Sequence, residues 1–218
     1  MRTFIINSQN KRNMEKNFSI GFAQADHNFG IPAENIHVPE SIQHTMDGCN
    51  FHSEATILNE YGFNVTEEQL QSEGQAQGWY HPGQGTPIEC MGRHIEGRGI
   101  PVSMTEGNGI DNLISELSQD HRVIVAVDSG ELWNPNITEY IQDQMYGGNP
   151  DHALIVDGIS IKDNLITLTD SGSGDYRTEF PLDNFMDAWN DSNCTMVATQ
   201  VSPQEFMSLN EEIGRAHV

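Results

Sequence analysis

Apolar positions fall at helical spacing in the first half of the chain and in strand-like runs in the second. From Cys49 to Tyr61, Phe51, Ala55 and Leu58 recur at i, i+4 and i+7, flanked by Ile57 and Tyr61, with Gly62 as a stop. This predicts an amphipathic helix. Thr66-Glu67-Glu68-Gln69 and Thr86-Pro87-Ile88-Glu89 both have capping-box spacing, and the second is expected to open a helix that directs Ile88, Met91 and Ile95 to a core and stops near Gly97. Asp111 is expected to cap a short helix carrying Leu113, Ile114 and Leu117. Val123-Ile124-Val125-Ala126-Val127 then reads as a central strand. Ala153 to Ile159 and Leu165 to Thr169 form a predicted hairpin around Lys162-Asp163-Asn164. Asp183 is expected to cap a helix with Phe185 and Trp189, and Thr195 to Val201 reads as a last strand. Helices before strands favour an α+β fold with an antiparallel sheet over a doubly wound one.

The domain boundaries that follow are 1–40, an N-terminal arm that reads as loop; 41–201, the folded domain; and 202–218, a C-terminal tail. Of 218 residues, 36% are hydrophobic and 19% charged, enough for a packed core. Ten Lys and Arg face 32 Asp and Glu, a formal net charge of −22. Neither nucleic acid nor an anionic membrane surface suits such a chain, because both require clustered cations. No window is long and apolar enough for a bilayer span or a Sec signal, so the expectation is a cytoplasmic protein or one exported by a non-Sec route. The oligomeric state is left open.

Three cysteines, Cys49, Cys90 and Cys194, leave at least one free thiol. Cys49 follows Asp47-Gly48 at the start of the first helix, where unsatisfied N–H groups and the helix dipole stabilise a thiolate. Gln43, six residues upstream, could donate to an oxyanion beside the Cys49 amide. His152 opens an apolar strand and Asp170 closes the next, offering a base and an orienting carboxylate. Side-chain alternation tests this pairing. A two-residue Asp163-Asn164 turn would put Asp170 on the face opposite His152, whereas an odd-length loop gathers His152, Leu154 and Val156 with Ile166, Leu168 and Asp170. The second face is the more apolar, so the odd loop is expected. Asp175 and Asp157 are alternatives for the third role.

These segments resemble the peptidase C39-like proteins of the papain-like cysteine peptidase superfamily. The resemblance rests on Gln43 with Cys49, on 55–62, on 151–158, on 169–172 and on the closing helix of 180–189, in family order from about Ile42 to Gln200. It implies a papain-like fold and a cysteine peptidase with Cys49 as nucleophile, His152 as base, Asp170 as orienter and Gln43 as oxyanion donor. Asn50 departs from the small residue often found after that cysteine. The expected partner is a peptide or protein substrate, with no cofactor and no metal. Cys90 with His94, or Cys49 with His44 and His52, could be drawn as metal sites, but each lacks a full ligand set. The same triad could instead transfer the acyl group to an amine or deamidate a glutamine, and the fold could also serve as a peptide-binding module without turnover. Trp79-Tyr80-His81-Pro82 could line a substrate cleft or anchor a loop.

Overall fold

The computed structural model describes residues 28–39, 42–133 and 150–216; most of the predicted N-terminal arm, residues 1–27 and 40, lies outside them. The chain is α+β, with one antiparallel sheet and seven helices among the described residues. Strands β1 (Asn28–Gly30) and β2 (Ile36–His37) precede helices α1 (Cys49–Glu60) and α2 (Glu67–Gln77). A short 3₁₀ turn (Ile88–Cys90), α3 (Arg93–Glu96), β3 (Val102–Thr105), α4 (Ile110–Ser118), β4 (Val123–Val127) and α5 (Ser129–Trp133) follow. The second half holds β5 (His152–Ser160), β6 (Leu165–Asp170), β7 (Asp175–Pro181), α6 (Leu182–Asn190), β8 (Met196–Thr199) and α7 (Pro203–Ala216). The strand order is β2-β7-β6-β5-β4-β8-β3, with β1 on the end of β5.

The sheet is buried on both faces, which is why β4 reads as an unbroken apolar run. On one face Val123, Val125, Leu154, Val156, Ile166 and Leu168 pack against Phe185 and Trp189 of α6 and Leu113 and Leu117 of α4. On the other, Ile124, Ala126, Ala153, Ile155 and Val197 pack beneath Phe51, Ala55 and Leu58 of α1 and Leu70 of α2. No described helix is long and apolar enough to cross a membrane.

The sequence reading needs correcting at four places. The arm that reads as loop carries two strands, Asn28–Gly30 and Ile36–His37, which pair antiparallel with β5 and β7. Ile88 to Glu96 is two short pieces rather than one helix, because Gly92 takes φ +79°, with its amide bonded to the Glu54 carboxylate and Val197 Cγ1 only 2.6 Å from where a Cβ would stand. Asp111 and Asp183 lie inside the first turns of α4 and α6, whose caps are Gly109 and Pro181. The β5–β6 loop is even, not odd: Ser160 pairs with Leu165 across residues 161–164. A bulge restores the face, since the pairing shifts between Val156↔Leu168 and Gly158↔Thr167. The extra residue, Asp157, turns the rest of β5 over, so Leu154 and Val156 share the Leu168 face after all.

Candidate active site

Gly48 caps α1 without a side-chain hydrogen bond, and no acidic residue occupies the first turn. The positive end of the helix is therefore left to whatever sits at Cys49. The turn before it is clamped from α2: both Glu67 oxygens accept the His44 amide, at 3.0 and 3.3 Å. Glu67 Oε1 would lie 2.4 Å from any Cβ at position 48, so the clamp requires glycine there. Asp47 turns the other way and accepts the Tyr80 hydroxyl at 2.8 Å and the Gly83 amide at 2.7 Å, which fixes the 79–86 loop beside the cysteine.

His152 opens β5 opposite Val127. Its Nε2 lies 2.5 Å from Asp170 Oδ1, and Cys49 lines the same cavity as the ring and adds to its electrostatic environment. Asp170 is buried, and the Gly172 amide at 2.7 Å and the Ser173 hydroxyl at 3.2 Å complete its coordination. Burial alone would lower the His152 pKa, but the bonds and charges of Asp170 and Cys49 outweigh it and push the ring up to about 10. Burial likewise works against the Asp170 anion, yet the His152 bond and charge and the Gly172 amide hold it below the usual carboxylate range. Each partner stabilises the other's charged form.

Gln43 is fixed rather than free on the surface. Its Oε1 accepts the Ser171 hydroxyl at 2.8 Å, and one Nε2 hydrogen goes to the Thr45 carbonyl at 2.9 Å. The other Nε2 hydrogen has no partner among the described residues. A cavity of about 760 Å³ is lined by Cys49, Asn50, Tyr80, Thr86, Met91 and His152 among others. A second, about 360 Å³, is lined by Gln43, Ser129, Trp133, His152, Gly172 and Ser173. His152 alone borders both.

The structure thus brings Cys49, His152 and Asp170 together and places Gln43 beside His152 in the wall of the smaller cavity. Asp157 instead accepts the Thr169 hydroxyl and faces Arg177, while Asp175 accepts the Ser173 hydroxyl and pairs with His37. No cluster that could hold a metal ion occurs among the described residues. His94, read as a surface histidine near Cys90, is buried against Glu54. The supporting roles of Ser171 and Ser173, which follow the strand-ending Asp170 in Ser171-Gly172-Ser173-Gly174, were not predicted, although that run of serine and glycine is a turn signal. All three cysteines are free.

A helix-borne cysteine set beside a strand-borne histidine and its carboxylate on an antiparallel sheet defines the class, a papain-like fold. The chain belongs to the Peptidase_C39 like family, which it matches over residues 32–197. Uncharacterized proteins of Mycobacterium tuberculosis and Mycobacterium bovis are 27% identical to it over 133 residues, 55% of this chain and 56% of theirs. The chain spans about half the length of these curated relatives. Among solved structures, a Bacillus anthracis protein described as a C39-like peptidase superposes with a TM-score of 0.51 at 12% identity, covering 76% of this chain and 97% of that one. A double glycine motif protease from an AMS/PCAT transporter, solved with the leader peptide, gives 0.50 at 12% identity over 77% and 93%. The peptidase domain of Streptococcus ComA, a bifunctional ABC transporter of a quorum-sensing pathway, gives 0.51 at 14% over 72% and 95%. These likenesses establish the fold.

Proposed function

We propose that the chain is a cysteine peptidase whose Cys49, His152 and Asp170 form the catalytic triad and whose Gln43 supports the oxyanion. The observation that carries this is the His152 ring, bonded to Asp170 and set beside Cys49 in the wall of the larger cavity, where two cavities meet. His152 takes the thiol proton, the Cys49 thiolate attacks an amide carbonyl, and the Gln43 Nε2–H and the Cys49 amide face the developing oxyanion. His152 then protonates the departing amine. The acyl part stays bonded to Cys49 and so occupies the larger cavity, while the amine leaves through the smaller one; water completes the cycle on the thioester. That one structural neighbour is solved with a leader peptide supports a peptide as substrate.

Labelling tests this directly. Iodoacetamide below neutral pH is expected to modify Cys49 and spare Cys90 and Cys194, whose thiols burial pushes up. Cys49→Ser is expected to keep the fold and lose peptide hydrolysis. Equal labelling of all three thiols, or an active serine variant, would remove the assignment.

A further inference from the structure

The turn between β6 and β7 holds both the carboxylate of the proposed triad and the residue proposed to face the oxyanion. Asp170 ends β6 and bonds His152, and the Gly172 amide and the Ser173 hydroxyl close around its carboxylate. The turn is seated against the ring itself, since a Cβ at Gly172 would stand 3.3 Å from His152 Cε1. Between Asp170 and Gly172 lies Ser171, 2% exposed, and both of its polar oxygens go to Gln43. Its carbonyl accepts the Gln43 backbone N–H at 2.9 Å, and its hydroxyl donates to Gln43 Oε1 at 2.8 Å. Ser171 thus holds the backbone and the side chain of a residue 128 positions away.

A glutamine carboxamide has two ends of similar shape and opposite chemistry, one that only accepts and one that only donates, and rotating the group exchanges them. Here the partners select one orientation. The Thr45 carbonyl can only accept, so it takes Nε2, and the Ser171 hydroxyl supplies the hydrogen that Oε1 needs. With both ends held, the second Nε2 hydrogen has a fixed direction before any substrate arrives, and donors to a developing oxyanion act through such preorganisation. With the Thr45 bond alone, Oε1 lacks its donor and the long side chain regains rotamer freedom. We propose that Ser171 is a positioning residue for the reaction, orienting the Gln43 carboxamide so that adjacent residues of one turn set both the base and the oxyanion donor. This rests on the reading of Gln43 as oxyanion donor, because the hydroxyl acts through Gln43 rather than on the substrate.

Two small reagents separate this role from a merely structural one, and neither requires the natural peptide. p-Nitrophenyl acetate acetylates a thiolate through a tetrahedral oxyanion: the S–C bond forms, the C–O bond to the leaving group breaks, and p-nitrophenolate departs. Iodoacetamide alkylates the same thiolate by displacing iodide, and no oxyanion forms. Each rate is taken as the part that Cys49→Ala abolishes. Ser171→Ala is expected to slow acetylation roughly three- to tenfold, the scale of one neutral hydrogen bond, with alkylation unchanged. Gln43→Ala is expected to slow acetylation further, and adding Ser171→Ala to it is expected to change nothing more. Ser171→Thr, which keeps the hydroxyl, is expected to acetylate like its parent. Acetylation at the parental rate in Ser171→Ala, equal slowing of both reactions, a threonine variant as slow as the alanine one, or additive losses in the double variant would each overturn the proposal while leaving the Cys49 and Gln43 assignments standing. A Gln43→Ala protein that acetylates like its parent would instead remove the oxyanion donor and this proposal with it.

Discussion

Asp170 shows how much one carboxylate controls. Its Oδ1 serves both the His152 ring and the Gly172 amide, two contacts that an asparagine oxygen can reproduce. Asp170→Asn is therefore expected to keep the geometry and lower kcat modestly, whereas Asp170→Ala frees the ring and costs far more; equal losses in the two variants would contradict an orienting role. The charges also predict a pH response. A histidine raised from 6.5 to about 10 contributes stability that is complete below about pH 6.5 and fades as pH climbs toward 10, while the depressed Asp170 contributes above the usual carboxylate range and loses its share as pH falls. The stability difference between wild type and His152→Ala, followed by urea unfolding from pH 5 to 10, is expected to shrink steadily above neutrality. Gln43→Ala is expected to reduce kcat roughly ten- to a thousandfold with little change in stability, the range for one oxyanion donor. Cys49, His152 and Asp170 were legible because each role needs a particular residue type at an element end. The groups that hold Asp170 and Gln43 in place, the Gly172 amide and the Ser173 and Ser171 hydroxyls, were not, since those bonds exist only once the β6–β7 turn has packed.

At the level of elements, α1 and β4 were legible from period alone, and their buried faces are those the pattern marks. The short or polar strands were not. β3 has four residues, and β7, Asp-Tyr-Arg-Thr-Glu-Phe-Pro, keeps charged and half-buried side chains on both faces, so neither carries an apolar alternation to read. The hairpin is instructive in another way: demanding that His152 and Asp170 share a face gave the right face through the wrong device, because a mid-strand bulge at Asp157 and an odd turn have the same effect on parity. The clamp on α1 yields its own prediction. Gly48→Ala drives a methyl into Glu67 and Thr45, so Cys49 labelling is expected to lose selectivity even if the helix survives, as read by mass spectrometry and circular dichroism.

Across the whole molecule, the acidic surplus reaches the larger cavity, where the described wall holds Asp47 and Asp151 and no Lys or Arg among the described residues. The Tyr80 and Gly83 bonds, set against burial, keep Asp47 below the ordinary carboxylate range and hence charged at neutral pH. Peptides with a glutamate on the acyl side are expected to show a lower kcat/KM than their lysine counterparts, with the gap closing as salt rises; a gap unaffected by 0.5 M salt, on the order of a 4 Å Debye length, would assign the preference to shape. The two cores carry different parts of the triad. His152 and Asp170 belong to adjacent strands of one hairpin, but Cys49 rides on a helix seated on the opposite face through Phe51, Ala55 and Leu58. The proposed catalytic line is thus a joint between the two cores, and loosening either core is expected to open it. Leu58→Ala, a fully buried truncation costing about 2–5 kcal/mol, is expected to abolish turnover at urea concentrations where the strands still resist hydrogen exchange, so that the enzyme goes silent before it unfolds.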